Sequence, residues 1–366
     1  MRKKIRVALL FGGRSAENEV SLQSARNVYD AIDKDKYEIV LIGIDHNGKW
    51  HLNDAQEFII NADQPDHITL KEGTGHLALV PGEESHVIID ARNNQNIGAI
   101  DVAFPILHGP FGEDGSIQGL LKLADLPFVG SGILGSAAAM DKDAMKRILG
   151  QANIPQARFL VYYFEEKDKL EYSKIAKALG SPFFVKPANL GSSVGIGKVH
   201  SESEFDPAIA YAFDYDNKII CEENIEGREI ECSVLGNNDP IASQPGEIIA
   251  GHEFYDYDAK YVDQDGAKFE IPANIGSSIT KKVQDLSIRS FKALCLSGMA
   301  RADFFLKKNG EVLVNELNTI PGFTRISMYP KLWEMSGIPY PDLIDRLIQL
   351  AIERHNQEKR LKISAW

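Results

Sequence analysis

"RADFFLKKNGEVLVNELN", residues 301–318, reads as two strands joined at Asn309-Gly310. Asn-Gly between apolar-rich segments is the strongest short-range hairpin signal. A two-residue turn there places Arg301 opposite Asn318 and Asp303 opposite Glu316. Side chains alternate along a strand, so these four share one face, while Ala302, Phe304, Leu317 and Asn315 fall on the other. Two carboxylates facing each other at about 5 Å repel by about 3 kcal/mol at an effective dielectric of about 20. One resolution is a solvated face on which Arg301 neutralises one acid. The other is a site for a divalent cation, Mg²⁺ above all, with Asn318 as a third oxygen ligand. The segment "TIPGFT" (319–324) follows directly and favours the second.

Around this hairpin the second half of the chain reads as α+β with an antiparallel sheet. A helix at 140–155 leads into the short strands "FLVYY", "PFFVKPA", "GIGKVH" and "KIICEENI", with a helix at 172–180 between the first two. "REIECSVLG" and "IASQPGEII" follow, then a polar loop (251–270), a helix (278–297), the hairpin and a last helix (340–357). The first half alternates strand and helix. "IRVALLFGG" (5–13), "YEIVLIGID" (37–45) and the segment 99–131 predict a parallel, doubly wound sheet. Residues 50–98 are polar and irregular and read as a hairpin or loops decorating it.

The chain has 366 residues and a formal net charge of −12, which argues against a nucleic-acid surface. No apolar run is long enough to span a bilayer, and the basic start runs into a buried strand rather than a signal peptide. Three cysteines without ligand spacing fit a reducing cytoplasm. Phosphate contacts must therefore come from local lysines and backbone amides.

Several segments offer such chemistry. In "FFVKPANLGSSVGIGKV" (183–199) a Gly/Ser loop joins two strands. It is no Walker A loop, yet its amides, Ser192, Ser193 and Lys186 suit phosphates. "CEENIEGREIE" (221–231) is acidic and largely solvated, and it also suits an adenine–ribose hinge. "FGGRSAENEVS" (11–21) lacks dinucleotide-binding glycine spacing. It instead offers Glu17, at the carboxyl end of the first strand, either to hold a substrate ammonium or simply to favour a helix N-terminus. His108 in "LHGPFGEDGS" is a general base, a substrate contact or a packing residue. "FYDYDAKYVDQDGA" (254–267) has the look of a lid or of an ordinary surface loop.

Together "GGRSAENEVS", "LHGPFGEDGS", "VGSGILGSAAAMDK", "VKPANLGSSVGI", "FYDYDAKY", "RADFF" and "NELNTIPGFT" with "ISMYPKL" resemble the D-alanine–D-alanine ligases of the ATP-grasp superfamily. The resemblance implies an N-terminal α/β domain (1–130) followed by a two-domain ATP-grasp module (131–225 and 226–366). It implies ATP-driven joining of two D-alanines through an acyl phosphate, for peptidoglycan precursors, in a cytoplasmic homodimer without membrane or nucleic-acid partners. Glu17 would bind the first D-alanine's ammonium in a triad with Ser192 and Tyr261. Lys142, Lys186, Lys260, Ser192 and Ser193 would meet the phosphates. Glu222, Glu229 and Phe254 would line the nucleotide pocket, and Glu223 and Ile225 would form the adenine hinge. Asp303, Glu316 and Asn318, beside Asn315, would hold two Mg²⁺, with Mn²⁺ as a substitute. Arg301 and Gly322 would stabilise the oxyanion, Ser327 and Met328 would meet the second carboxylate, and His108 would lie near the reacting groups. The Lys260-Tyr261 pair implies a dipeptide rather than a D-lactate ester product.

Overall fold

The computed structural model describes residues 3–61, 67–82, 87–250, 267–324 and 326–362. Three larger sheets follow one another along the chain, with two small ones inserted in the first region. In the first sheet, strand Ile5–Gly12 lies between Tyr37–Ile44 and Val102–Ile106, all parallel, and Trp50–Asn53 adds an antiparallel edge. The central strand is apolar on both faces because both are covered. Val7, Leu9 and Phe11 pack toward helix Asn18–Ala31 and the C-terminal helix Tyr340–Lys359, whereas Ala8 and Leu10 pack toward helix Ser116–Leu123. The C-terminal helix therefore completes the first core, through a stripe of Leu343, Ile344, Leu347, Ile348 and Ala351 at helical spacing.

The described residues of 50–98 form more strands than their sequence suggests. One strand joins the main sheet, Ile59–Ile60 pairs with Thr69–Leu70, and Leu77–Leu79, Val87–Asp90 and Gln95–Ala99 form a third unit. Strands this short, with few strong turn pairs, leave little periodicity to read. Helices Glu202–Phe213, which contains Pro207, and Met328–Met335 were also not expected.

The second sheet, Phe159–Tyr163, Phe183–Pro187, Gly197–Val199 and Lys218–Glu223, is antiparallel and shares a core with helices Tyr172–Leu179 and Glu202–Phe213. The third, also antiparallel, centres on Gly227–Gly236, Gly298–Lys307 and Val312–Asn318. Helices Lys142–Gln151 and Gly276–Ala293 cover it. The first of these starts where Asp141 caps it, its carboxylate accepting from Ala144 N at 3.0 Å. Among the described residues no helix is long and apolar enough to cross a membrane.

The opening hairpin follows an altered path. Its loop has three residues, closed by Lys307 N donating to the Glu311 carbonyl at 2.9 Å, with Gly310 at φ 81°. Near the turn the pairs are Leu306–Val312, Phe305–Leu313 and Phe304–Val314, one residue out of step with a two-residue turn. A bulge then restores the expected register, so that Asp303 faces Glu316 and Arg301 faces Asn318. The extra residue is Asn315, which consequently joins Glu316 in lining the cleft instead of lying on the apolar face. Bulges re-aim side chains next to functional sites in this way.

Candidate active site

Two connected recesses, of about 130 and 490 Å³, run between the second and third sheets toward the end of the first strand. Gly191, Ser192, Glu229, Phe305, Asn315 and Glu316 line both. The larger reaches the range of ligand pockets (about 300–1,000 Å³). Lys142, Lys186, Ser193 and the segment Glu222–Gly227 complete it. The smaller adds Glu17, Glu113, Glu231, Arg301, Asp303, Asn318, Gly322, Ser327 and Met328.

The row of acids extends farther than the hairpin indicated. Glu231 pairs with Asp303 on the opposite side from Glu316, so three adjacent strands present three carboxylates. Arg301 compensates two of them. It donates to both oxygens of Asp303 at 2.8 Å and lies 2.9 Å from Glu231. Asn318 turns its amide nitrogen, not its oxygen, to Asp303 at 2.9 Å. The expected third oxygen ligand is thus used here as a donor to a carboxylate. Glu316, with 28 % of its side chain exposed, has Lys142 Nζ at 3.9 Å. Among the described residues no group of three or more His, Cys, Asp or Glu is arranged to hold a metal ion. Asp303 and Glu316 nevertheless offer hard carboxylate oxygens on the wall of a cleft, a donor set that fits Mg²⁺ shared with phosphates.

At the other end, Glu17 occupies the N-cap position of helix Asn18–Ala31 without a side-chain capping bond and is buried. Ser192 donates to its carboxylate, joining the Gly/Ser loop to the first sheet as expected. Gly109, at φ 73°, lies so close that a Cβ would stand 2.9 Å from Glu17 Oε2, so a side chain there would push the carboxylate aside. Ser192 and Ser193 also hold positive φ, 52° and 61°. Such backbone costs on the order of 1–3 kcal/mol per residue and gathers at ligand clamps.

Glu113 was missed in the sequence, although it lies inside "LHGPFGEDGS". Its oxygens accept from Gly109 N at 2.9 Å and Ile320 N at 3.0 Å, tying this loop to "TIPGFT". Burial first, and the charge of Glu17 second, push its pKa up to about 8. Only its tertiary position beside Glu17 marks it.

Some of the other residues differ from expectation and others do not. His108 is buried and absent from the walls of both recesses; its Nδ1 donates to the Ile320 carbonyl at 2.9 Å. Burial lowers its pKa, so it is neutral and braces the loop. Glu222, expected at the ribose or nucleotide, does border the larger recess, yet it is 2 % exposed and both its oxygens are engaged by Lys146 and Lys186. Burial raises its pKa, and the two ammonium groups more than reverse this, leaving it at about 2. Glu223 N donates to the Arg158 carbonyl at 3.0 Å, and its carboxylate binds the Arg158 guanidinium, so that amide is not a free hinge donor. Lys142 Nζ donates to the Leu190 carbonyl at 2.5 Å, holding it beside the loop. Ser327 Oγ accepts from Thr324 N at 3.0 Å, just before the helix that begins at Met328. Ile225 and Glu229 line the larger recess. Phe254, Lys260 and Tyr261 lie outside the described residues.

Family models described as "D-ala D-ala ligase N-terminus" and "D-ala D-ala ligase C-terminus" match residues 6–131 and 148–349. The chain belongs to the D-alanine–D-alanine ligase family. A D-alanine–D-alanine ligase of Shouchella clausii is 52 % identical over 366 residues, covering 100 % of this chain and 99 % of that one. D-alanine–D-alanine ligase A of Escherichia coli K12 is 52 % identical over 360 residues, with 98 % and 99 % covered. Among solved structures, the Coxiella burnetii ligase superposes with a TM-score of 0.84 at 40 % identity, covering 98 % of this chain and 96 % of its own. The VanG D-Ala:D-Ser ligase of Enterococcus faecalis gives 0.82 at 34 %, covering 95 % and 100 %. The fold is therefore shared by ligases named for different second amino acids.

Proposed function

We propose that this chain is an ATP-dependent ligase that joins two D-alanine molecules for peptidoglycan precursor synthesis. The observation that carries this reading is the register-set pair Asp303–Glu316, on the wall where a nucleotide-sized recess meets a small acidic one. Its parts follow the sequence expectation: residues 1–130 for the first substrate, and 131–225 with 226–366 enclosing ATP. A cytoplasmic homodimer belongs to the same reading.

In this reading Lys142, Lys186 and the Gly191–Ser193 loop receive the phosphates, while Glu229 and the Glu223–Gly227 segment meet the nucleoside. Two Mg²⁺, or Mn²⁺, held by Asp303, Glu316 and Asn318, would spread the charge of the transferring phosphoryl group. With the ions held there, Asn318 would present its amide oxygen, and Arg301, freed from Asp303, would face the reacting carboxylate. Glu17, steadied by Ser192, holds the ammonium of the first D-alanine. The carboxylate of that D-alanine takes the γ-phosphoryl group, ADP leaves, and an acyl phosphate remains. The second amine attacks the acyl carbon, giving a tetrahedral oxyanion within reach of Arg301 and the Gly322 amide. Loss of phosphate and of the amine proton completes the peptide bond. Ser327 and Met328 bound the second carboxylate.

The test is ADP formation from ATP, Mg²⁺ and D-alanine, with the product separated and weighed. Stoichiometric D-alanyl-D-alanine is expected; no ADP beyond the rate without amino acid defeats the reading. D-serine and D-lactate in parallel test acceptor choice. Predominant ester at neutral pH would overturn the dipeptide reading based on Lys260-Tyr261.

A further inference from the structure

Lys146 stands outside the recesses, yet it is wired to one of them. It lies on the same helix as Lys142, one turn later, and is 2 % exposed. Its ammonium pairs with one oxygen of Glu222 and lies 5.5 Å from the centre of the Phe159 ring. The other Glu222 oxygen receives Lys186, whose side chain is 12 % exposed and lines the larger recess. One buried carboxylate thus serves two lysines, of which only one faces the ligand.

This stoichiometry matters because a buried charge that loses its last partner is strongly disfavoured. If Lys186 were the only counter-ion, turning it toward a phosphate would strand the Glu222 carboxylate. With Lys146 in place, Glu222 keeps a partner when Lys186 turns. We propose that Lys146 is a positioning residue for ATP, acting through Glu222 to free Lys186 for the phosphates. The inference rests on the assignment of Lys186 to ATP phosphates made above.

The experiment compares Lys146→Met, Lys146→Met/Glu222→Gln and Lys186→Met with the unaltered full-length protein. ATP affinity is read from the KM for ATP and from the rise in Tm with Mg²⁺-ATP, and the KM for D-alanine is measured alongside. Lys146→Met should raise the KM for ATP by about tenfold or more, with the KM for D-alanine within about twofold, because Glu222 then retains Lys186. Removing the Glu222 charge as well should return ATP affinity to within about threefold of the unaltered protein. A general loss of packing would not be rescued in this way. An unchanged KM for ATP in Lys146→Met, or a double variant that folds but binds ATP no better than the single one, overturns the proposal. Should Lys146→Met not fold, Lys146→Gln takes its place in the same comparison: a raised KM for ATP that Glu222→Gln lowers again supports the proposal, and an unchanged KM for ATP overturns it. Normal ATP binding by Lys186→Met would instead refute the phosphate assignment on which the proposal rests.

Discussion

Asp303 and Glu316 oppose each other on neighbouring strands, 13 % and 28 % exposed, with Arg301 bound to the first and Lys142 near the second. Glu17 and Glu113, at the other end of the cleft, are held by backbone and hydroxyl donors and by burial. Both are pairs of like charges, but their repulsion is relieved differently. In the reading proposed above, the partly open pair would be relieved by a divalent cation accompanying the nucleotide. The enclosed pair relieves it with a proton, which burial keeps on Glu113 up to about pH 8. A single cleft thus combines a partly exposed acid pair beside two cationic side chains with a buried pair that shares a proton.

The largest test concerns the open pair. Glu316→Gln should lower turnover by about 10³-fold or more, since it removes several kcal/mol of transition-state charge stabilisation. In EDTA its Tm should equal or slightly exceed that of the unaltered protein, because the substitution also relieves repulsion from Asp303. A large fall in Tm in EDTA would show that the pair is structural.

The enclosed pair is tested by pH. Glu113 has a folded pKa above its ordinary value of 4.5, so the folded state holds a proton that the unfolded chain has lost. Its contribution to stability is therefore full below about pH 4.5 and disappears as pH rises through about 8, a change of a few kcal/mol. Glu113→Gln should flatten the stability–pH curve over that window, at a cost of about 1–3 kcal/mol at low pH for one lost N–H acceptor. Equal slopes in denaturant titrations of the two proteins would contradict this. Glu222 has the opposite sign. Its depressed pKa contributes stability above about pH 4.5 that is lost toward pH 2.

Ser192→Ala probes the contact that holds Glu17. It should raise the KM for D-alanine by about tenfold, the scale of a hydrogen bond to a charged group, and alter the KM for ATP less. A change confined to ATP would assign the hydroxyl to the phosphates instead. Smallest of all, Gly310→Ala at the remote turn should cost about 1 kcal/mol, because φ 81° disfavours a Cβ that meets only ordinary contacts. Its kcat should not change, since the bulge at Asn315, not the turn, carries the register to the acids.

The hairpin was legible because strand alternation is local, and the metal-end register agreed with expectation. The route to it was misread: a three-residue loop and a bulge offset each other. Lys186, Ser192 and Glu316, singled out by their motifs, do line the cleft, as Gly/Ser loops and paired acids are unusual enough to notice. Glu113, Glu231 and Lys146 gave no such signal. Each looks like an ordinary surface charge in sequence, and its meaning comes from partners far away along the chain. Glu222 shows the same limit, since an acidic run looks solvated until two lysines are found around it.

Sequence alone determined the strand and helix periods, the Gly-rich loops and the shared face of Arg301 with Asp303 and of Glu316 with Asn318, because these depend on residues a few positions apart, whereas the bulge set the register between the two strands. Tertiary structure decided which carboxylates are buried, which lysine is held in reserve and where the C-terminal helix completes the first core. Burial and charge pairing depend on distances through space between segments far apart in the chain, 36 residues between Lys186 and Glu222 and 175 between Glu17 and Ser192, and no local pattern encodes them.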